Sequence, residues 1–117
     1  MTVTKEILQD KMRKPHVVVL NVQPEGDFQE RHILGSHNIP YLQDQTLFAQ
    51  SVEMKFGREK FFIVYGPPFP SPTANDAALA LRKRGLWAEA YPGGLADWKE
   101  AGLPTVGDHP ALKGVHP

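Results

Sequence analysis

Two apolar runs constrain the fold of this chain more than any other feature of its sequence. The first lies within His16–Val22 and is rich in β-branched residues, and the second, Phe61–Tyr65, has no polar interruption. Strands with one solvated face alternate apolar and polar residues, whereas runs without alternation are typical of strands covered on both faces. Such strands need helices on both sides of their sheet. The runs therefore predict a parallel sheet in an α/β domain.

Helical spacing of apolar residues occurs between and around these runs. Helices are predicted over residues 4–14, 43–54, 73–84 and 95–102. Thr4 is the expected N-cap of the first helix, and Thr73 with Asp76 forms a weak capping pair for the third. Further strands are expected at residues 33–40 and 87–91, and a polar connection at residues 24–28. Because strands alternate with helices, we expect right-handed crossovers.

Length and composition limit the classes of function. A chain of 117 residues has the size of one domain, and we predict this domain over residues 1–106 and an irregular tail over residues 107–117. Thirteen basic residues balance thirteen acidic ones, so neither nucleic acid nor an anionic membrane is an expected partner. No apolar stretch has the length of a membrane span or a signal sequence, and a cytoplasmic location is expected.

The chain contains no cysteine. Disulfides, thiolate metal sites, iron–sulfur clusters and a thiol nucleophile are therefore excluded. The histidines are scattered and have no acidic cluster beside them, so no metal or other cofactor is expected. They occupy positions 16, 32, 37, 109 and 116.

Three stretches together resemble the rhodanese-like domain, a single-domain sulfurtransferase fold that a cell-cycle phosphatase also uses. Leu20–Gln23 lies where that family has an acid-Val-Arg sequence at a strand end. Downstream, Asp27–Pro40 follows the family's spacing of acid-Phe, Gly-His-Ile, Pro-Gly-Ala and Asn-Ile-Pro, with departures at Arg31, Leu34 and Ser36. The third stretch, Gly93–Trp98, is followed by Gly102 and Pro104 at the family's distances and is the most specific signal.

The resemblance covers roughly His16 to Val106 and implies a three-layer α/β fold. We expect a central, mostly parallel sheet of about five strands, flanked by helices. In rhodanese-like enzymes the nucleophilic cysteine directly follows the central strand, and the backbone N–H groups of its loop stabilise the anionic sulfur. Gly66 occupies that position here, so a persulfide or a cysteinyl phosphate cannot form on this chain.

The loop after Gly66 also lacks the donors that would bind an anion. Pro67, Pro68, Pro70 and Pro72 have no N–H group, and the loop contains no lysine or arginine. The remaining donors would be spread along a chain biased toward polyproline II. Ser71 or Thr73 could replace the cysteine only beside a base and an oxyanion hole, so we interpret them as capping hydroxyls.

The whole loop, Gly66 to Thr73, is the candidate binding segment, and it leaves two interpretations open. An exposed proline-rich segment that carries Phe69 could dock into an aromatic groove of a partner protein. Alternatively, the loop is a rigid plug that closes the former active-site pocket with Phe69 packed inward. The second interpretation has slightly more support from the sequence.

Other conspicuous residues have structural interpretations. His32, the histidine of the Gly-His-Ile pattern, is expected to pack and hydrogen-bond. Residues 82–84 form a basic run, interpreted as a solvated last helical turn. Trp98 is expected in the core, and Trp87 either there or at a partner surface.

The sequence thus favours a catalytically inactive rhodanese-like domain that acts as a binding or regulatory module. The enzymatic alternative is an atypical sulfurtransferase whose nucleophile is supplied in trans. A third possibility is a structural domain of a larger assembly, such as a homo-oligomer. The sequence leaves the oligomeric state and the identity of any partner open.

Overall fold

The structure is a computed structural model that describes residues 2–42 and 44–107. Five helices and six strands are assigned among these residues. In chain order they are α1 (Lys5–Lys11), β1 (Val17–Asn21), α2 (Glu25–Glu30), β2 (His32–Ile33), β3 (His37–Asn38), α3 (Gln45–Phe56), β4 (Phe61–Tyr65), α4 (Thr73–Lys83), β5 (Trp87–Ala90), α5 (Gly94–Glu100) and β6 (Thr105–Val106).

The central sheet has four parallel strands in the order β3-β1-β4-β5. The α/β architecture with a parallel sheet is therefore confirmed, with four strands where about five were expected. A separate antiparallel ribbon joins β2 to β6. Every residue of β4 is buried, as expected for a central strand covered on both faces.

Two apolar clusters lie on opposite faces of the sheet. One contains Phe62 and Val64 of β4 together with the buried residues of α3 and α4. The other contains Phe61, Ile63 and Tyr65 of the same strand, packed with residues of α1 and α5. Alternate side chains of one strand thus enter two different cores, which is why its sequence shows no polar alternation.

Helix ends confirm part of the capping analysis. The Thr4 hydroxyl accepts the Ile7 N–H at 3.2 Å, as predicted. The capping pair predicted for α4 is wrong, because Thr73 is already its first helical residue and Pro72 stands at the N-cap without a side-chain hydrogen bond. Asp44 caps α3 by accepting the Leu47 N–H at 3.0 Å.

Two local predictions need correction, and one strand was not predicted. The polar connection after Pro24 contains the short helix α2. The extended piece expected at residues 33–40 is divided by a turn at Gly35, whose φ of 91° favours glycine. As a result, β2 and β3 belong to different sheets. The ribbon strand β6 was not anticipated, and most of the predicted tail, residues 108–117, lies outside the described residues.

None of the helices in residues 2–42 and 44–107 combines the length and the apolarity needed to cross a bilayer. The expected cytoplasmic location stays a prediction.

Candidate functional site

The candidate site lies where the parallel strands end. In sheets of this kind, ligands bind outside the carboxyl ends of the strands, because loops from neighbouring strands meet there. Gly66 directly follows β4 and is buried, and the loop that it begins leads into α4 at Thr73. The structure therefore places the loop Gly66–Thr73 at the edge of the sheet where the sequence predicted it.

Gly66 is enclosed by its neighbours. A Cβ atom added to it would lie 3.1 Å from Val22 Cγ2, which is closer than ordinary van der Waals contact. Its carbonyl oxygen would lie only 2.8 Å from a Cβ atom added to Gly94. Gly94 has a φ of 63°, so glycine is required there both for conformation and for space. The backbone of the second loop thus packs directly against the first.

Three of the four N–H groups that the prolines leave in the loop donate to other groups of this chain. The Phe69 N–H donates to Pro92 O at 2.9 Å, and the Ser71 N–H donates to Pro68 O at 3.0 Å. The Thr73 N–H donates to the Ser71 hydroxyl at 3.4 Å. One of these donors is bound to Pro92, outside the loop, and the other two are bound to acceptors within it. They therefore do not converge on a site for an anion.

Residues 68–71 form a hydrogen-bonded turn, because the Ser71 N–H to Pro68 O bond closes it. The extended polyproline conformation expected for this segment is therefore wrong. The Phe69–Pro70 peptide bond is cis.

Phe69 lies at the tip of this turn with 77% of its surface exposed. The interpretation in which Phe69 packs inward as a plug is therefore wrong. Pro68 and Pro70 beside it are exposed as well. The turn thus presents an apolar tip to solvent on a backbone that hydrogen bonds hold in place.

Ser71 and Thr73 have no catalytic surroundings within the described residues. Their hydroxyl oxygens lie 3.2 Å apart. Neither hydroxyl is hydrogen-bonded to a histidine or a carboxylate in the described part of the chain. An activated nucleophile needs such a base, so both residues act here as local turn and helix-start hydroxyls.

Beneath the loop, neutral amides occupy the positions of the family's acid and arginine. The Gln23 N–H donates to Asn21 Oδ1 at 2.9 Å, and Asn21 Nδ2 donates to Gln23 Oε1 at 3.3 Å. Asn38 Nδ2 donates to the carbonyl oxygens of Gln23 and Asn21, at 2.9 and 3.1 Å. This edge of the sheet therefore holds no charged pair at these two positions. The departures at Asn21 and Gln23 were visible in the sequence, but their mutual pairing was not predicted.

A second neutral network involves Tyr65, the last residue of β4. Its hydroxyl accepts the Ile33 N–H at 2.9 Å and lies 2.8 Å from the Ser36 hydroxyl. Ser36 in turn donates to Ile33 O at 2.7 Å, which leaves the tyrosine as donor in the tyrosine–serine bond. Burial raises the pKa of Tyr65 above its ordinary value. Ser36 replaces the alanine of the family pattern, so that departure has a hydrogen-bonding role.

The turn after β5 is fixed by Tyr91 and Asp97. The Tyr91 hydroxyl donates to Asp97 Oδ2 at 2.6 Å. Burial, and then the neighbouring Asp97 carboxylate, raise the pKa of Tyr91 well above its usual range. A Cβ atom added to Gly93 would lie 2.7 Å from the Asp97 side chain, so this position also excludes larger residues.

His32 packs as the sequence analysis predicted. Its ring stacks on Phe28 with centroids 3.7 Å apart, and its Nδ1 lies 2.8 Å from Phe28 O. Within the described residues, no group of three or more histidine, aspartate or glutamate side chains is placed to hold a metal ion. His109 and His116 lie outside those residues.

The basic run and the tryptophans differ in part from expectation. Arg82 donates to Ala88 O at 2.9 Å, and Arg84 pairs with Glu53, so these two arginines are partnered and not simply solvated. Trp98 is buried in the core, as predicted. Trp87 is 56% exposed and stacks on a core phenylalanine.

The Rhodanese-like domain family model matches residues 4–101 of the chain. The chain belongs to this family. It is a rhodanese-like domain without a cysteine. Among curated proteins, none matches the chain.

Solved structures share the rhodanese-like fold. The rhodanese-like domain of the Alr3790 protein from Anabaena is 22% identical with a TM-score of 0.78, and the match covers 99% of this chain and 86% of that one. The BH2092 protein from Bacillus halodurans is 18% identical with a TM-score of 0.77, covering 92% and 77%. An uncharacterized protein from Saccharomyces cerevisiae is 22% identical with a TM-score of 0.71, covering 87% and 92%. At these identities the likeness concerns the fold.

Proposed function

We propose that this rhodanese-like domain is catalytically inactive and acts as a binding or regulatory module through the loop Gly66–Thr73. The observation that carries the proposal is the glycine at position 66, where the family has its nucleophile, in a chain without any cysteine. Sulfur transfer in this family forms a persulfide on a thiolate, and a glycine supplies no atom for that bond. A cytoplasmic location belongs to the same proposal.

The loop supports the absence of catalysis independently of the missing thiol. Stabilising an anionic intermediate requires several N–H donors aimed at one point. In this loop four residues are prolines, and three further donors are committed to Pro92, Pro68 and Ser71. Restoring a nucleophile alone would therefore not restore the site.

The same loop has the properties of a contact surface. Its tip carries Phe69, which is exposed, while hydrogen bonds at Phe69 and Ser71 fix the backbone on both sides of it. A side chain held in its bound position loses little entropy on docking, and aromatic side chains dominate binding energy at interfaces. We expect a protein partner that offers an apolar pocket to Phe69.

Activity measurements on the purified chain test the inactive assignment. We expect no thiosulfate:cyanide sulfurtransferase turnover and no phosphatase turnover above a heat-denatured control. After incubation with thiosulfate, intact-mass spectrometry should show no added sulfur. The alternative, a sulfurtransferase with a nucleophile in trans, predicts turnover that appears only when a protein or small-molecule thiol is added. Turnover by the chain alone would refute the proposal.

Affinity capture tests the role of the loop. The wild-type chain and Phe69→Ala would be compared as baits, with Met54→Ala as the matched control, because Met54 is equally exposed at 78% but lies on α3. We expect Phe69→Ala to lose partners that both other chains retain. Truncation of an exposed side chain should change the free energy of unfolding by less than about 0.5 kcal/mol. Equal recovery of partners by all three chains would remove the loop from the proposal.

A further inference from the structure

The strand β5 forms one edge of the parallel sheet and, among the described strands, pairs only with β4. The Tyr91 N–H donates to Val64 O at 2.8 Å, so odd-numbered residues along β5 direct their backbone groups toward β4. The backbone groups of Ala88 and Ala90 consequently point away from the sheet. An edge with unpaired N–H and C=O groups is a template for pairing with another strand.

Arg82 covers part of this edge. It projects from the last turn of α4, and its Nη1 donates to Ala88 O at 2.9 Å. The same nitrogen lies 3.7 Å from Glu89 Oε1. Ala88 faces the core cluster that contains α4, whereas the side chain of the next residue, Glu89, leaves the strand on the opposite face. The guanidinium therefore lies across the edge of the strand.

The rest of the edge has features that would favour pairing with another strand. The N–H and C=O groups of Ala90 make no hydrogen bond to a described residue, and 8% of the surface of Ala90 is exposed. Trp87, at the start of the strand, is half exposed and stacks on Phe61 with centroids 4.2 Å apart, which adds an apolar surface beside this edge. The chain has a formal net charge of zero, so two copies would not be kept apart by charge.

We propose that Arg82 prevents the β5 edge from pairing with the β5 edge of a second copy of this chain. Two such edges related by a two-fold axis would run antiparallel, and the outward groups of Ala88 and Ala90 on one copy would face those of the other. Arg82 blocks this arrangement by occupying Ala88 O and by placing its side chain where the second strand would lie.

Sedimentation velocity over a wide range of concentration tests the proposal on the full chain. Arg82→Gln removes the guanidinium, and Lys83→Gln is the matched control because it removes the same charge from the next residue. We expect the wild type and Lys83→Gln to keep a constant sedimentation coefficient. Arg82→Gln should shift toward the coefficient of a dimer as concentration rises. A constant coefficient for Arg82→Gln, or a shift shared by Lys83→Gln, overturns the proposal.

Two further measurements locate the contact. Amide exchange at Ala90 should be slower in concentrated Arg82→Gln than in the wild type, because pairing would add a hydrogen bond to this N–H. Adding Ala90→Pro to Arg82→Gln should restore the constant coefficient, since proline removes the outward donor without removing a bond to β4. A dimer without protection at Ala90 would place the contact elsewhere and refute the edge assignment. If circular dichroism shows Arg82→Gln unfolded, Arg82→Lys replaces it, with a smaller shift expected.

Discussion

Two neighbouring segments at the same edge of the sheet have different relations to the family pattern. The loop Gly66–Thr73 follows β4 and has lost the family's nucleophile and most of its backbone donors. The turn Tyr91–Trp98 follows β5 and keeps the family's glycine pair and tryptophan. Tyr91 and Trp98 at its two ends are buried, whereas Phe69 in the loop is exposed. One segment is built into the core, and the other is presented to solvent.

The two segments are nonetheless in contact. Phe69 N–H donates to Pro92 O, and Gly94 lies against the backbone of Gly66 and Pro68. The turn therefore supports the loop whether or not the loop carries a nucleophile. This difference shows how the fold can be kept when the residue at the family's nucleophile position is replaced, because a fold depends on the residues that pack and not on the residue that reacts.

Trp98→Ala tests whether the turn after β5 is part of the core, and it has the largest expected effect. Loss of this buried side chain should lower the free energy of unfolding by about 3–5 kcal/mol. Its Nε1 also donates to Pro104 O at 2.8 Å, a bond that alanine cannot make. Urea unfolding measures the change. Trp87→Ala is the matched control, and a similar loss in both variants would contradict the distinction between buried and exposed tryptophans.

Tyr91→Phe tests the hydrogen bond that fixes the same turn. Removing a bond to a carboxylate should cost about 1.5–3 kcal/mol at neutral pH. The pKa of Tyr91 is raised in the folded chain by burial and by Asp97, while an unfolded tyrosine ionises near pH 10. Its contribution to stability is therefore present below about pH 10 and is lost as pH rises further.

Unfolding by urea at neutral and at strongly alkaline pH measures this dependence. The wild type should lose more stability than Tyr91→Phe between the two conditions. Tyr41 and Tyr65 also have raised pKa values, but both proteins contain them, so they contribute equally. An identical loss in the two proteins would show that Tyr91 ionises as freely when folded as when unfolded.

Gly94→Ala tests the contact between the two segments. Its positive φ and the 2.8 Å approach of an added Cβ to Gly66 O should together cost about 1–3 kcal/mol. Gly102→Ala separates these causes, since Gly102 has a φ of 75° but open space around an added Cβ. Thermal unfolding should show a greater loss for Gly94→Ala. Equal losses would mean that glycine is required at position 94 for its positive φ alone. The loop Gly66–Thr73 would then move to make room for the added Cβ atom.

Gly66→Cys tests whether the loop has kept its anion-binding capacity, and it has the smallest expected effect. The new thiol should have an ordinary pKa of about 8.5, because few N–H groups are free to stabilise a thiolate. The pH dependence of alkylation measures this pKa, with Ser71→Cys as a control in the same loop. We expect no sulfurtransferase turnover from either variant. A strongly lowered pKa at position 66 accompanied by turnover would show that the loop still forms an anion cradle.

Much of the fold could be predicted from the sequence. The apolar runs at β1 and β4 indicated a parallel sheet because burial on both faces removes polar alternation. Spacing indicated α1, α3, α4 and α5, since these helices are long enough to show an apolar stripe or have clear end signals. The helix α2 was missed because it has six residues and none of them is buried.

The candidate site could be predicted only in part. The position of the loop followed from the strand before it and the helix after it. The pairing of Asn21, Gln23 and Asn38 was not predicted, because these residues meet through the register of β1 and β3. The ribbon of β2 and β6 was missed for a similar reason, as its two-residue strands are joined across most of the chain.

What the sequence determined by itself is chemical composition at particular positions: no thiol anywhere, a glycine after the central strand, and four prolines without N–H groups in the loop. These facts hold in any conformation. Tertiary structure decided the outward direction of Phe69, the partners of Arg82 and Arg84, and the contact of Gly94 with Gly66. Each of these depends on groups brought together from separate elements, and their free energies exist only once the sheet has assembled.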